Sequence, residues 1–567
     1  MYSRLLPSAG SSASPRIALS ATLLCVSLAA VTTSGFAQKA KAAAPQLYPN
    51  NLVISRSVYD NNAANVTVGE ALPPNCGSTS AGCQGTSGAT NSGTYPAVFN
   101  NVLYDPSFGI ASRIYLDQIT ILGKTVNSIE VPNSLDGTAK DGDQLVTSFS
   151  SKSELGLHLS TNGDFLTFVG YVAPVNGIDV SNSNTPLAID ATNPDGQVPY
   201  YRAIARVGAD GRFKFTETNA YSGNNGRSAI LNNKYGADVF YTAGNAGNGS
   251  NPQPTGVIEG AGAQIVPLSL AEESAQSPAL PTPVASFSVT ELGDKADKVG
   301  KDDNFRGMTL YKNVLYYTKG SGSNGVNTVY FVDTTGKACP NGIGLPVADA
   351  PLPASGLSYD PGTVQSTGLP NNMCILKGFP STPAKTATTV SYPFGLWFAN
   401  ADTLYVADEG DGYTGGADLY THAAAQTTAG LQKWVFDKKT QTWNLAYVLK
   451  NGLGIGTPYT VAGYPTGNNS ATNLPWAPAT DGLRNITGLN GPDGLVAIWG
   501  ITSTVSGNGD TGADPNRLFV VLDRVDETSA KVAEKTQFIE VKDAHFGEVL
   551  RGVSFTPGTD FSFFKHF

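Results

Sequence analysis

Asp481-Gly482-Leu483-Arg484-Asn485-Ile486-Thr487-Gly488 has two near copies elsewhere in the chain. They are Asp303-Asn304-Phe305-Arg306-Gly307-Met308-Thr309-Leu310 and Glu548-Val549-Leu550-Arg551-Gly552-Val553-Ser554-Phe555. Each reads as an acid, two residues, an arginine, a small residue or Asn, then a short β-prone run. Self-similar segments of this kind mark repeat architectures. We read the stretch as the innermost strand of a β-propeller blade.

Around these strands the rest of the chain falls into units. The first has three strands, 52–59, 113–120 and 127–131, and no inner one. The second runs 155–160, 165–171, 201–207 and 213–216, with the turns Thr161-Asn162-Gly163-Asp164 and Gly208-Ala209-Asp210-Gly211. Asn-Gly and Asp-Gly are strong hairpin signals. The third runs 227–231, 238–242, 263–267 and 286–290, and the fourth 306–311, 314–318, 328–332 and 374–377. The fifth runs 394–398, 403–407, 431–436 and 444–449, and the sixth 483–487, 495–501, 517–522 and 537–541. One strand, 550–555, is left over at the end. A strand shared between the ends would close the ring by hydrogen bonding. The expectation is therefore an all-β, six-bladed propeller closed by its C-terminal strand. Seven blades is the alternative, because long insertions could hide strands. Blade spans are 549–556 with 52–131, then 153–217, 226–290, 305–378, 393–450 and 482–541, in one domain over 51–567 after a lead-in at 38–50.

Composition agrees with this reading. Among 567 residues there are 63 Gly, 35 Pro, 24 Tyr and 24 Phe, and only 14% are charged, a turn-rich and aromatic-rich balance that favours β structure. The net charge of −9 argues against nucleic acid as a partner.

The N-terminus reads as an export signal over 1–37. Arg4 and Arg16 precede an apolar run from Ile17 to Val31, and Gly35-Phe36-Ala37 supplies small residues for cleavage after Ala37. An uncleaved anchor is the lesser alternative, because the run is short for a membrane span. A secreted or periplasmic protein follows, with no membrane span after cleavage. Outside the signal stand Cys76, Cys83, Cys339 and Cys374. In an oxidising compartment two disulfides are expected; proximity favours Cys76–Cys83 and Cys339–Cys374, and other pairings stay open. Four histidines in the chain leave little for a histidine-rich metal centre.

Asn51-Leu52-Val53-Ile54-Ser55-Arg56-Ser57-Val58-Tyr59, Tyr221-Ser222-Gly223-Asn224-Asn225-Gly226-Arg227 and Leu550-Arg551-Gly552-Val553-Ser554-Phe555-Thr556-Pro557-Gly558 resemble a family of exported, functionally uncharacterised propeller-type proteins. The resemblance implies a propeller over most of the mature chain and brings no catalytic residues with it.

Candidate sites follow from the blade frame. Call the strands of a blade A to D from the inside outward. Short A–B turns lie on one face; the long loops 60–112, 172–200, 408–430 and 451–481 lie on the other. Binding residues tend to sit on long loops over a rigid scaffold, so the loop-rich mouth of the channel is the expected functional face. Aligned A strands place Arg227, Arg306, Arg484 and Arg551 at one equivalent position, with Leu155 and Phe394 in the other two blades. Asp303, Asp481 and Glu548 precede three of them. Together they could grip a carboxylate, phosphate or sulfate, since guanidinium binds such groups bidentately. They could instead pair internally and lock the ring, which repetition favours.

Asp408, Glu409, Asp411 and Asp418 are glycine-spaced acids that suit Ca2+, or form a solvated loop; Asp510 and Asp514 are a weaker analogue. Tyr413, Tyr459, Tyr464 and Trp476 could stack a sugar or pack blade on blade. His158 and His545 lack an accompanying nucleophile motif. The sequons at Asn65, Asn248, Asn468 and Asn485 matter only in a glycosylating host. The leading expectation is a monomeric binding propeller whose partner is a small molecule, carbohydrate or protein. A Ca2+-dependent hydrolase or lactonase-like enzyme is the alternative. A quinone-cofactor dehydrogenase ranks third.

Overall fold

The computed structural model describes residues 45–59, 71–72, 89–90, 110–136, 144–149, 151–177, 201–218, 220–221, 225–234, 237–245, 262–268, 285–287, 303–339, 341–347, 350–352, 373–469, 473–508 and 512–566. The expected signal segment, Cys76, Cys83, Asn65, Asn248 and Asp510 lie outside them.

Six antiparallel sheets form six blades. Blade 1 takes its A strand from the end of the chain, Glu548–Phe555, and continues with Leu52–Val58, Ala111–Ile119 and Thr125–Glu130. Blade 2 is His158–Leu159, Phe165–Tyr171, Arg202–Gly208 and Phe213–Thr218, and blade 3 is Gly226–Asn232, Val239–Gly244, Ala263–Pro267 and Ala285–Phe287. Blade 4 is Gly307–Tyr311, Val314–Lys319, Thr328–Val332 and Met373–Leu376, with Ile343–Gly344 added in parallel at its outer edge. Blade 5 is Pro393–Asn400, Thr403–Asp408, Gly430–Asp437 and Thr442–Leu449; blade 6 is Ala479–Asn490, Leu495–Val505, Arg517–Arg524 and Ile539–Asp543.

The ring closes as expected, by antiparallel pairing of Leu52 with Phe555 through to Val58 with Glu548. Side chains reinforce it: Gly552 N donates to Ser55 Oγ at 2.7 Å and Asn51 N to Thr556 Oγ1 at 3.2 Å. The core lies between blades. One apolar cluster joins blades 3, 4 and 5, a second blades 5 and 6, and a third blades 6 and 1. Middle strands buried on both faces include ones that are apolar or hydroxylic throughout, as in Val239–Gly244, where every residue is buried.

Cys339 and Cys374 are disulfide-bonded, with Cα atoms 5.9 Å apart, and tie the insertion of blade 4 to its D strand. Among the described residues no helix is long and apolar enough to cross a membrane.

Two A strands differ from the sequence expectation. That of blade 2 shrinks to two residues, because Leu155 takes a left-handed φ of 61° and Gly156 N turns sideways to Arg227 O in blade 3 at 3.0 Å. That of blade 6 lengthens to twelve, with register shifts on either side of Leu483. A short helix, Leu419–Ala425, sits in the B–C loop of blade 5, burying Leu419 and Ala423 one turn apart.

Candidate functional site

The inner strands pinch the channel at a definite layer. At the position after the arginine, each blade carries Gly156, Ser228, Gly307, Gly395, Asn485 or Gly552. A Cβ on Gly307 would lie 2.1 Å from Phe394 O of blade 5, and one on Gly552 2.3 Å from Leu155 O of blade 2. Backbone therefore meets backbone there, which only glycine permits. Where the residue is Asn485 its amide spans the gap instead, donating to Arg551 O at 2.8 Å. The small residue of the repeated motif thus makes a waist that divides the channel.

Above the waist, toward the loop-rich face, the channel is filled by charge. Glu409, at the start of the B–C loop of blade 5, is buried and faces three cations. Arg484 Nε is 3.1 Å from its Oε2, Lys152 Nζ 3.4 Å from Oε1 and Arg306 Nε 3.9 Å from Oε1. Arg306 also donates to Ser153 Oγ at 3.0 Å, joining blade 4 to the segment that enters blade 2. Burial pushes the Glu409 carboxyl up, but Lys152, Arg306 and Arg484 together outweigh it and hold the group below the usual carboxylate range. Lys152, one-fifth exposed, is pushed down to about 8, first by burial and then by the two guanidinium groups.

The other two arginines of the set bind neighbours rather than one another. Arg227 donates to Asn304 Oδ1 and Phe305 O of the next blade. Arg551 donates to Ser57 Oγ at 3.2 Å and to Phe149 O. All four guanidinium groups are buried. Two of their preceding acids, Asp481 and Glu548, point elsewhere. Asp481 accepts from Gly412 N at 2.8 Å and from Gln426 Nε2. Glu548 accepts from Arg56 Nη1 at 2.5 Å and from His545 N at 3.1 Å, and Arg56 also holds Asp117. Asp303 is buried at the entry to blade 4.

The glycine-spaced acids also diverge. Asp408 accepts from Tyr392 N, Gly410 N and Gln432 Nε2, each at 3.0 Å. Glu409 belongs to the channel cluster. Asp411 Oδ2 is 2.6 Å from His422 Nε2, and Asp418 accepts from Tyr413 OH at 3.0 Å. Tyr413 stacks on His422 with centroids 4.0 Å apart. Among the described residues one group of three acid, His or Cys ligand atoms comes together, Asp333 with Cys339 and Cys374, and its sulfurs are spent on the disulfide. With the four loop carboxylates each served by a different donor, EDTA should leave the melting temperature unchanged. A fall of several degrees would place a structural cation on this loop.

Besides Tyr413, three loop aromatics pack against other side chains, and of these Tyr464 is buried. Tyr464 donates to Asp514, Tyr459 lies under Arg517 at 3.6 Å, and Trp476 packs against the cluster holding Tyr464.

Below the waist the channel opens into a chamber of about 470 Å3 on the tight-turn face. All six A strands line it. Three residues beyond the arginine position they present His158, Ile230, Thr309, Trp397, Thr487 and Ser554, a ring whose members differ from blade to blade. Among the described residues no Asp, Glu, Lys or Arg lines the chamber. Burial pushes the His158 imidazole down to about 4, so it is neutral near pH 7. Gly488 makes room for the indole of Trp397, since a Cβ there would lie 2.3 Å from it.

Sequence reasoning found the arginines and missed Lys152, which no repeat marks. It also passed over the variable ring, although the alignment that revealed the arginines shows it three residues on. No protein-family model and no curated protein matches this chain.

Proposed function

We propose that this is an exported binding propeller that takes a small molecule into the central channel from the tight-turn face. The observation that carries the reading is the chamber ringed by His158, Ile230, Thr309, Trp397, Thr487 and Ser554. A residue repeated in every blade serves the blade; the position where the blades diverge is free to serve a ligand. The volume falls in the range of about 300–1,000 Å3 usual for small-molecule sites. The loop-rich end, where binding was expected, is occupied across the described residues by the Glu409 cluster, whose cross-channel bonds fit a role in holding blades together. Export is supported by the Cys339–Cys374 disulfide and by the N-terminal signal pattern.

The test is a thermal-shift screen of a chemically diverse fragment library against the native protein and Thr309→Trp, which fills the chamber. Hits that stabilise the first and not the second are expected. Hits indifferent to the substitution, or none at all, would overturn the proposal. Thr487→Phe, from another blade, serves as the block if Thr309→Trp fails to fold.

A further inference from the structure

The chamber's lining narrows the class of ligand, on the reading that the chamber is the binding site. Five of the six ring positions carry a polar group: the imidazole of His158, the hydroxyls of Thr309, Thr487 and Ser554, and the indole N–H of Trp397. Among the described residues none of these five side chains has a hydrogen-bond partner in the protein. His158, Thr309, Trp397 and Thr487 are half-buried and Ser554 buried, so water serves these groups in the empty chamber, and a ligand that displaces it keeps those hydrogen bonds only if it is itself rich in donors and acceptors.

That partner should be uncharged, because a charged ligand entering a chamber lined by neutral groups would leave water without a counter-charge. Among the described residues a phosphate or carboxylate would find no cation here, since Arg227, Arg306, Arg484 and Arg551 lie beyond the waist. It should also own an apolar face. Trp397 is half-buried, packed against Gly488 and with its ring 6.0 Å from that of Tyr405, the rest of it lining the chamber, and Phe561 stands 42% exposed at the rim, its ring 5.2 Å from Phe555. Leu157, Ile230, Leu310, Leu396, Ile486 and Val553 supply more apolar wall.

We propose that the chamber binds a neutral saccharide, its hydroxyl edge bonded to the open polar groups of the ring and its C–H face laid on Trp397. Alternation of polar edge and apolar face is the signature of a pyranose, whereas a purely apolar ligand would strand the hydroxyls. Broken hydrogen bonds of this kind give large discrimination.

The probes are glucose, galactose, mannose, N-acetylglucosamine, maltose and cellobiose, with glucuronate and glucose 6-phosphate as charged counterparts. Binding is read by calorimetry and by ligand-observed NMR on the full chain. At least one neutral sugar should bind saturably and at least tenfold more tightly than the charged ones. Trp397→Ala should abolish that binding. Thr487→Val, which keeps shape and removes one hydroxyl, should weaken it roughly three- to tenfold and keeps the test open if Trp397→Ala unfolds. No binding by any neutral sugar, preference for the charged ones, or affinity untouched by Thr487→Val and Trp397→Ala would overturn the proposal. If library fragments occupy the chamber and are lost in Thr309→Trp while no sugar binds, the saccharide class falls and the binding site stands.

Discussion

Lys433→Met should cost the protein about 3–5 kcal/mol of stability, the range for stripping one partner from a buried ion pair. Lys433 lies on the C strand of blade 5 and is fully buried; its Nζ is 3.1 Å from Asp523 Oδ2 on the C strand of blade 6. The ammonium also donates to Tyr447 OH at 2.9 Å, to Glu527 O at 2.7 Å and to Arg524 O. Asp523 in turn accepts from Tyr405 OH at 2.5 Å and Tyr447 OH at 2.8 Å. Burial lowers the Lys433 pKa, with Asp523 pulling the other way, so the charge persists because of its partner. Methionine fills the space and leaves Asp523 as an uncompensated charge between two blades. Denaturant unfolding measures the loss. Lys433→Met with Asp523→Asn should recover much of it, because the stranded charge is then gone. A single substitution costing less than about 1 kcal/mol would show that the pair does not tie the blades.

Asp481→Asn should instead stabilise, and only at the alkaline end. Burial, then the neighbouring Asp411 and Glu409, outweigh the bonds from Gly412 and Gln426 and push the Asp481 carboxyl from 3.8 to about 7. In the folded chain it therefore holds a proton that the unfolded chain has released between these values. Stability from this group is complete below pH 3.8 and is lost as pH rises through 7, a span worth ~4 kcal/mol. Asp408 and Asp514, each raised to about 6 mainly by burial, act in the same direction. His158, pushed down to about 4, acts oppositely below pH 6.5, and Lys152 does so from about 8 upward. The difference between variant and native protein isolates Asp481. Melting temperatures should nearly coincide at pH 4 and separate progressively to pH 8, the variant being higher. A constant difference across that range would contradict the assignment.

The six blades were legible because an inner strand has little freedom. Its arginine layer and its waist recur around the ring, so Arg227, Arg306, Arg484 and Arg551 stand out in an alignment. The missing strand of the first unit and the orphan at the end pointed to their own pairing. What the acids do was not legible. On an extended chain neighbouring side chains face opposite ways, so Asp408 turns into its own blade while Glu409 enters the channel. Spacing alone made them look like one cation site. The partner of Glu409 from blade 2, Lys152, precedes an A strand that the left-handed Leu155 has bent out of the pattern. The chamber could not be seen either, since a void is a property of six strands together.

Ring closure also has a consequence for how the protein is made. Gly552 and Ser55, bonded across the closing seam, are 497 residues apart in sequence. A chain leaving the ribosome N-terminus first must carry the bare edge of Leu52–Val58 until the strand that pairs with it, Glu548–Phe555, has followed. The arc of blades can zip neighbour by neighbour during that time, but the chamber acquires its Val553, Ser554 and Phe555 wall only when the last strand arrives. A complete chamber therefore marks a finished ring, and a chain stopped just short of residue 548 would be both an open arc and an unfilled edge inviting the strands of other copies.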